Sequence, residues 1–391
     1  MRDQTTIGVE KMAKYELIAT ATMGLESLVA REVKDLGFEN VRVDNGKVTY
    51  DSDELGICRS NYWLRTADRV KLKVGEFKVT TFDELFEATK ALPWGDLLPV
   101  NAEFPVSGRS VKSTLYSVPD CQAIVKKAIV ESMKEKYNVS WFDEDGPLFK
   151  IEVAIHKDTA VLTIDTSGTG LHRRGYRYLH SAAPLKETMA AAMIMLTNWN
   201  ADKPFIDPFC GSGTLPIEAA MIGQNIAPGF NRAFASEDWE WIGQKRWEEA
   251  MIETEDLAKY DQPLHIFGSD LDPKMVDLSK NNALEAGFAD LIQFKQMQVT
   301  DVSSRFEYGT LIGNPPYGER LGEREEVEDM YRKMGKAFRE RLDTWSVYIL
   351  TSHPRFQEVY GKRATKNRKL YNGDIKTHYY QFFGPRPPKN N

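Results

Sequence analysis

The stretch Asp207-Pro208-Phe209-Cys210-Gly211-Ser212-Gly213-Thr214 decides how the chain is read. It comes after a short apolar strand pattern, Phe205–Ile206, that ends at Asp207. It precedes a helical pattern at Leu215–Ile222, where Pro216 is tolerated in the first turn. Glycines at 211 and 213 let the backbone turn sharply and let a ligand approach it closely. In doubly wound sheets, ligands bind beyond the carboxyl ends of the strands. A lone G-x-G is also a plain strand-to-helix turn, so its meaning depends on the strands downstream of it.

Those downstream strands keep the same rhythm. Leu264–Ser269 reads as a strand that runs into Gly268-Ser269-Asp270-Leu271-Asp272. A carboxylate at Asp270 is placed to accept both hydroxyls of a ribose, with Leu271 beside it. Asp272 reads as the N-cap of a helix at Pro273–Ala286, with Pro273 at its first position and Gly287 after its end. Asp301, after the strand Ile292–Met297, lies where an adenine amino group could be bound, although an Asp in a loop is commonly just turn-forming.

Directly after the strand Thr310–Ile312 comes Asn314-Pro315-Pro316-Tyr317. The prolines fix the backbone, so the Asn314 amide and the Pro315 carbonyl point in set directions. Both oxygens can accept hydrogen bonds from one amino group, which aims the nitrogen lone pair at a methyl donor. Such positioning can supply much of the rate without a metal or a covalent intermediate. Tyr317 can stack on a flat ring. The plain alternative is a strand-ending Pro-Pro turn. A helix at Glu326–Leu342, a strand at Trp345–Thr351 and a hairpin of Lys369–Tyr371 with His378–Phe383 around Asn372-Gly373 complete the pattern, which a helix at Leu185–Trp199 opens.

Upstream the pattern is different. Tyr15–Ala21 reads as a strand, Leu25–Leu36 as a helix stopped at Gly37, and Val41–Asp44 with Lys47–Tyr50 as a hairpin around Asn45-Gly46. A second unit comes next, with Arg69–Val79 and Glu103–Val111 strand-like and Asp83–Leu92 and Asp120–Tyr137 helical. Phe149–His156 and Thr159–Asp165 pair around Lys157-Asp158. Mixed strands and helices with hairpins indicate α+β units. The stretch from Asp165 to Pro184, with His172-Arg173-Arg174-Gly175-Tyr176-Arg177, reads as an interdomain connection.

Composition narrows the class. At 391 residues the chain has room for two or three domains, and 42% hydrophobic with 28% charged residues is globular. The longest strongly apolar run, Met189–Leu196, is too short to cross a bilayer, and no apolar signal core opens the chain, which predicts a cytoplasmic protein with no membrane partner. Residues 1–11 read as a tail or an expression remnant. Cys58, Cys121 and Cys210 form no Cys-x-x-Cys pair, so neither zinc nor a disulfide framework is expected, and none of them follows a proline. Enzymes that methylate carbon-5 of pyrimidines usually place their nucleophile in a Pro-Cys pair. The net charge of −6 hides local imbalance. Asn231–Gln262 carries four basic and nine acidic residues, and Arg355–Asn391 nine basic and two acidic. Local sign decides whether phosphates are attracted.

The order of Gly-rich turn, strand-end acid and Asn-Pro-Pro-Tyr is that of class I methyltransferases acting on amino nitrogens. Asn314–Gly322 (NPPYGERLG), Asp207–Ala220 (DPFCGSGTLPIEAA) and Arg174–Glu187 (RGYRYLHSAAPLKE) resemble the RlmL family of 23S ribosomal RNA guanine-N2 methyltransferases. The resemblance runs from about Lys14 to Pro385. It implies a ferredoxin-like domain at 12–75, a THUMP RNA-binding domain at 76–166, a linker at 167–184 and a Rossmann-like methyltransferase domain at 185–391. It implies S-adenosylmethionine as cofactor, S-adenosylhomocysteine as product, and no metal. Asp207, Cys210, Gly211, Ser212, Gly213 and Thr214 would surround the methionine end, Asp270 and Leu271 the ribose, and Asp301 the adenine. Residues 180–185, with Ala183 and Pro184, would lie beside the cofactor. The bacterial fusion proteins of this family carry a second methyltransferase domain; this chain resembles a stand-alone form.

Structured RNA is the implied partner, either 23S rRNA or an assembling large ribosomal subunit, with no obligate protein partner. Reaching a base in folded RNA usually means extruding it from its stack. Arg109, Lys112, Arg173, Arg174 and Arg177 are candidate RNA contacts, as are Lys362, Arg363, Lys366, Arg368 and Lys369. Other acceptors share the chemistry: a tRNA guanine, an adenine N6 in RNA or DNA, or a protein glutamine. A non-catalytic RNA-binding protein on the same fold is the alternative from another class.

Overall fold

The computed structural model describes residues 14–177, 185–318 and 323–388. The tail at 1–11, Tyr178, Ala183, Pro184 and residues 319–322 of the resembling motif lie outside the described residues. In chain order the first half holds β1 (Tyr15–Ala21), α1 (Glu26–Asp35), β2 (Glu39–Asp44), β3 (Lys47–Ser52), α2 (Glu54–Trp63), β4 (Ala67–Lys78), α3 (Phe82–Lys90), α4 (Trp94–Leu97), β5 (Val106–Val111), α5 (Val118–Tyr137), β6 (Ile151–His156) and β7 (Thr159–Asp165). One sheet joins them, in the order β2-β3-β1-β4-β7-β6-β5.

The long strand β4 explains why this is one sheet. Its first residues pair with β1 and its later ones with β7, as in Lys73↔Glu16 and Lys78↔Thr159. The expected boundary at 75/76 therefore falls inside a strand. β5 starts at Val106, later than Glu103, because Pro105 has no N–H to give a ladder; Glu103 makes only an isolated bridge to Leu148.

The second half holds α6 (Glu187–Met195), β8 (Phe205–Asp207), α7 (Thr214–Gly223), α8 (Gln244–Leu257), β9 (Ile266–Asp270), α9 (Pro273–Glu285), β10 (Ile292–Gln296), β11 (Thr310–Gly313), α10 (Glu323–Arg341), β12 (Ser346–Thr351), α11 (Phe356–Tyr360), β13 (Lys366–Asn372) and β14 (Ile375–Phe382). The sheet order is β10-β9-β8-β11-β12-β14-β13. The first five strands are parallel, and β14 and β13 add an antiparallel edge. After β10 the chain returns to the other side of β8. The crevice between β8 and β11 is thus the topological switch point, where doubly wound sheets bind ligands. α9 forms as its sequence dictates: the Asp272 side chain accepts from the Lys274 amide at 2.9 Å, and Pro273 opens the helix.

The halves share a core. After α7 the chain leaves the methyltransferase layers, and Phe234, Trp239, Ile242, Trp247 and Ala250 bury against the first sheet's residues. Trp239 stacks on Phe149 with ring centroids 4.4 Å apart, and its indole N–H donates to the Leu148 carbonyl at 3.1 Å. Arg59 of α2 grips Glu253 of α8 through two bonds of 2.7 and 2.9 Å. From the other side, Leu25 and Leu28 of the α1 region bury among methyltransferase residues. No helix among the described residues is long and apolar enough to cross a membrane.

Candidate active site

The carboxyl ends of β8, β9 and β11 meet around one cavity of about 770 Å³. Asp207, Cys210, Gly211, Ser212 and Thr214 line one part of it, Asp270 and Leu271 another, and Asn314, Pro315, Pro316 and Tyr317 a third. A volume of this size is within the range of about 300–1,000 Å³ for small-molecule sites.

The glycine turn is held by groups that motif reading did not assign. The Gly211 amide donates to Asp270 Oδ2 at 3.0 Å, and the Asp272 amide donates to the same carboxylate's Oδ1 at 3.0 Å. Asp270 therefore fixes the turn as well as facing the cavity. Asn282 of α9 donates to the Ser212 carbonyl at 2.8 Å from a buried position. Gly211 and Gly213 both have positive φ, at 50° and 85°. Their surroundings differ. A Cβ at Gly211 would meet nothing within 4 Å, leaving open space beside a backbone that lines the cavity, whereas one at Gly213 would press on Ser279 Cβ at 3.0 Å. Gly213 is not among the lining residues; it lets the turn pack on α9.

Asp207 is 1% exposed, and its Oδ1 accepts from the Phe209 amide at 3.0 Å. Burial raises its carboxyl well above the ordinary range; the Phe209 amide opposes this and nearby Asp270 adds to it. Burial also pushes the Cys210 thiol up, reinforced by Asp207 and Asp270, so Cys210 is no ready thiolate.

The acceptor motif is braced from two sides. The Tyr317 hydroxyl donates to Asn314 Oδ1 at 2.7 Å, and the Asn372 side-chain amide donates to the Tyr317 oxygen at 3.3 Å. Tyr331 of α10 donates to the Pro316 carbonyl at 2.6 Å, with the Thr351 hydroxyl 3.0 Å from Tyr331 Oη. Asn372 and Ile375, the ends of the β13–β14 hairpin, line the cavity, as do Asp329, Met330 and Lys333 of α10. The Asn372-Gly373 turn signal marks the hairpin in sequence, but only the pairing Thr351↔His378 brings its tip beyond the carboxyl edge.

Three expectations need correction. Asp301 is exposed at the end of a short, half-buried turn, Val299–Asp301, and is not among the residues lining the cavity; Gln298, Val299 and Thr300 are. Arg174 is not a surface contact. It is 1% exposed and pairs with buried Glu218 at 3.0 and 3.1 Å, because a guanidinium removed from water needs a carboxylate and acceptors. Its remaining donors reach the Leu171 and Arg65 carbonyls at 2.9 and 2.7 Å. Arg177 also turns inward: its guanidinium donates to Thr214 Oγ1 in the glycine turn and lies 3.4 Å from Glu187. Arg173 is exposed. Arg109 on β5 and Lys112 just after it are exposed at the edge of the first sheet, and Lys366 and Lys369 at the edge strand β13 of the second. Leu185 lines the cavity, while Ala183 and Pro184 lie outside the described residues. Among the described residues, no group of three or more His, Cys, Asp or Glu is placed to hold a metal ion.

Known proteins share this arrangement. The model of an RMKL-like methyltransferase domain matches residues 174–381, that of an RlmL ferredoxin-like domain residues 16–71, and that of a THUMP domain residues 79–165. YpsC of Bacillus subtilis (strain 168), provisionally named an RNA methyltransferase, is 61% identical over 380 residues, which is 97% of this chain and 98% of that protein. A Listeria monocytogenes structure, described from prediction as an N6-adenine-specific DNA methylase, is 59% identical with a TM-score of 0.91, covering 95% of this chain and 96% of that one. SMU.472, provisionally described as a methyltransferase and solved with S-adenosylhomocysteine, is 46% identical with a TM-score of 0.92, covering 96% of this chain and all of that one. The switch-point cavity, the glycine turn and these matches lead to one assignment: the chain belongs to the family of RlmL-type, THUMP-containing methyltransferases.

Proposed function

We propose that the chain transfers a methyl group from S-adenosylmethionine to the exocyclic N2 amine of a guanine in structured RNA, 23S rRNA above all. One observation carries the reading: the Asn314 carboxamide and the Pro315 backbone share a single cavity with the glycine turn and Asp270. Bound S-adenosylmethionine supplies an electrophilic methyl group. The open backbone at Gly211, the buried Asp207 and the Asp270 carboxylate fit such a ligand, with the turn from Cys210 to Thr214 around its methionine end and Asp270 with Leu271 at its ribose.

The protein's own part is positioning. The Asn314 Oδ1 and the Pro315 carbonyl accept the two N–H bonds of the amine, so its lone pair is aimed along the line of transfer. Tyr317, whose hydroxyl is tied to Asn314, offers its ring to the base. As the nitrogen–methyl bond forms, the sulfur–methyl bond breaks and S-adenosylhomocysteine leaves, and the methylated amine then gives its extra proton to water. The THUMP match, and the name given to YpsC, favour RNA as the acceptor. The domains would divide near 75 and 166, with residues 167–184 as a linker, and the substrate would be rRNA free or in an assembling large subunit.

A second reading, adenine N6 as acceptor, is favoured by the description of the Listeria protein. Mass spectrometry of rRNA and tRNA nucleosides from a deletion strain separates the two. Loss of N2-methylguanosine from 23S rRNA supports the proposal; loss of N6-methyladenosine selects the second reading; loss confined to tRNA moves the substrate.

A further inference from the structure

A second cavity, of about 610 Å³, adjoins the first. Its wall includes His172, Arg173, Arg177, Lys186, Glu187 and Arg232. Arg177 and the stretch 185–187 separate the two cavities. Leu185 lines the catalytic one and Lys186 this one, while the Arg177 guanidinium donates to Thr214 of the glycine turn.

The charges here do not cancel. Arg174 is neutralised by Glu218, and Arg177 lies against Glu187. Arg173, Lys186 and Arg232 make no such close pair among the described residues, although Asp68 acts on Lys186, and Asp165 and Glu237 on Arg232, from further away. Arg232 instead spends its Nη donors on the Ser167, Thr169, Gly170 and Arg173 carbonyls, at 2.5 to 3.3 Å, and its buried Nε has no partner. His172 sits inside this group, and burial together with Lys186, Arg173, Arg174 and Arg232 lowers it to about 4, so it is neutral at pH 7. The lining carries Arg173, Arg174, Arg177, Lys186 and Arg232 against one lining carboxylate, Glu187, and this excess of positive charge raises the local potential for an anion.

We infer that this cavity binds a backbone phosphate of the substrate RNA flanking the target nucleotide. A base extruded into the catalytic cavity stays joined to its own phosphates, which must lie beside that cavity's mouth. The neighbouring site has the matching sign, a guanidinium and an ammonium that remain exposed at Arg173 and Lys186, and a lining residue, Arg177, bonded to Thr214 of the glycine turn. It also lies where the chain passes from β7 to the methyltransferase layers, so a strand held by the first sheet would cross it. The inference rests on RNA being the acceptor.

The test uses the full-length chain with rRNA from the deletion strain. RNA affinity is measured by filter binding from low to high KCl for the native chain, Arg173→Gln, Lys186→Gln and the double variant. Arg232 is left alone because four connector carbonyls depend on it. Affinity for S-adenosylhomocysteine is measured by calorimetry on the same proteins. The double variant is expected to bind RNA about tenfold more weakly at low salt. The slope of log affinity against log salt should become shallower by about 0.7–0.9, the share of one phosphate, with cofactor affinity unchanged. Lys186→Arg should keep the native slope. An unchanged slope overturns the inference, and so does a parallel loss of cofactor affinity, which would assign the cations to the cofactor's carboxylate. If the native chain methylates a base other than guanine, the proposed acceptor fails while the slope still judges the phosphate site. A native chain that binds no RNA sinks both.

Discussion

The Tyr317 hydroxyl donates to Asn314 Oδ1 at 2.7 Å, so the oxygen expected to receive the substrate amine is already oriented by a neighbour three residues on. A carboxamide oxygen has two lone pairs, and one remains for the substrate. The bond fixes the rotation of the Asn314 side chain before the base arrives.

Removing that bond should therefore cost catalysis more than binding. Tyr317→Phe is expected to lower kcat up to about tenfold, the scale of one hydrogen bond of about 0.5–1.5 kcal/mol, while leaving cofactor affinity intact. Asn314→Ala should abolish transfer and also retain cofactor. Single-turnover methylation and calorimetry with S-adenosylhomocysteine check both. Full activity of Asn314→Ala on RNA would refute the acceptor assignment.

The two glycines of the cofactor turn should separate. Gly213→Ala forces a Cβ to within 3.0 Å of Ser279 at a φ of 85°, and the left-handed backbone alone costs about 1–2 kcal/mol. It is expected to lower the melting temperature clearly. Gly211→Ala meets nothing within 4 Å, so beyond its φ strain it should act mainly on cofactor affinity. Equal melting temperatures for the two variants would contradict this.

The buried Arg174–Glu218 pair should behave asymmetrically. Arg174→Met leaves a buried carboxylate unpaired and should destabilise by about 3–5 kcal/mol. Adding Glu218→Met to it should recover much of that loss. Urea unfolding of the three proteins reads the coupling, and additive losses would mean that the pair is not a unit.

Asp207 makes stability depend on pH. Its folded carboxyl ionises well above the ordinary range, so the unfolded chain releases this proton first as pH rises. The contribution is fully present below the unfolded value of about 3.9 and is lost as pH climbs toward the folded value. Asp207→Asn removes this dependence. Its stability relative to the native chain should improve steadily from pH 4 toward neutrality, and parallel profiles in urea would reject the assignment.

The second half was legible because its signals are local. Asp272, Pro273 and Gly287 cap one helix within the helix itself, and each motif closes one parallel strand. The stretch 224–263 gave only an acidic balance. Its apolar residues, Trp239, Ile242 and Trp247, bury against partners far away in sequence, so no local period announces α8 or the turn before it. α2 escaped notice for a related reason: Ile57, Cys58, Ser60, Asn61, Tyr62 and Trp63 are all buried, so the helix has little polar face to alternate with. Arg174 looked like a surface cation because nothing in its own segment reveals Glu218, which waits on α7.

The excursion between α7 and β9 also governs what the protein can exchange. Its tryptophans complete the first sheet's core, and Arg59 clasps Glu253 across the joint. A graft of the RNA-gripping half onto another methyltransferase would arrive without this cover, and a methyltransferase half alone would carry the cover with nothing beneath it. The joint ties the two halves together, so the reach of the first sheet and the position of the cavity at the second sheet's switch point are set as one measurement.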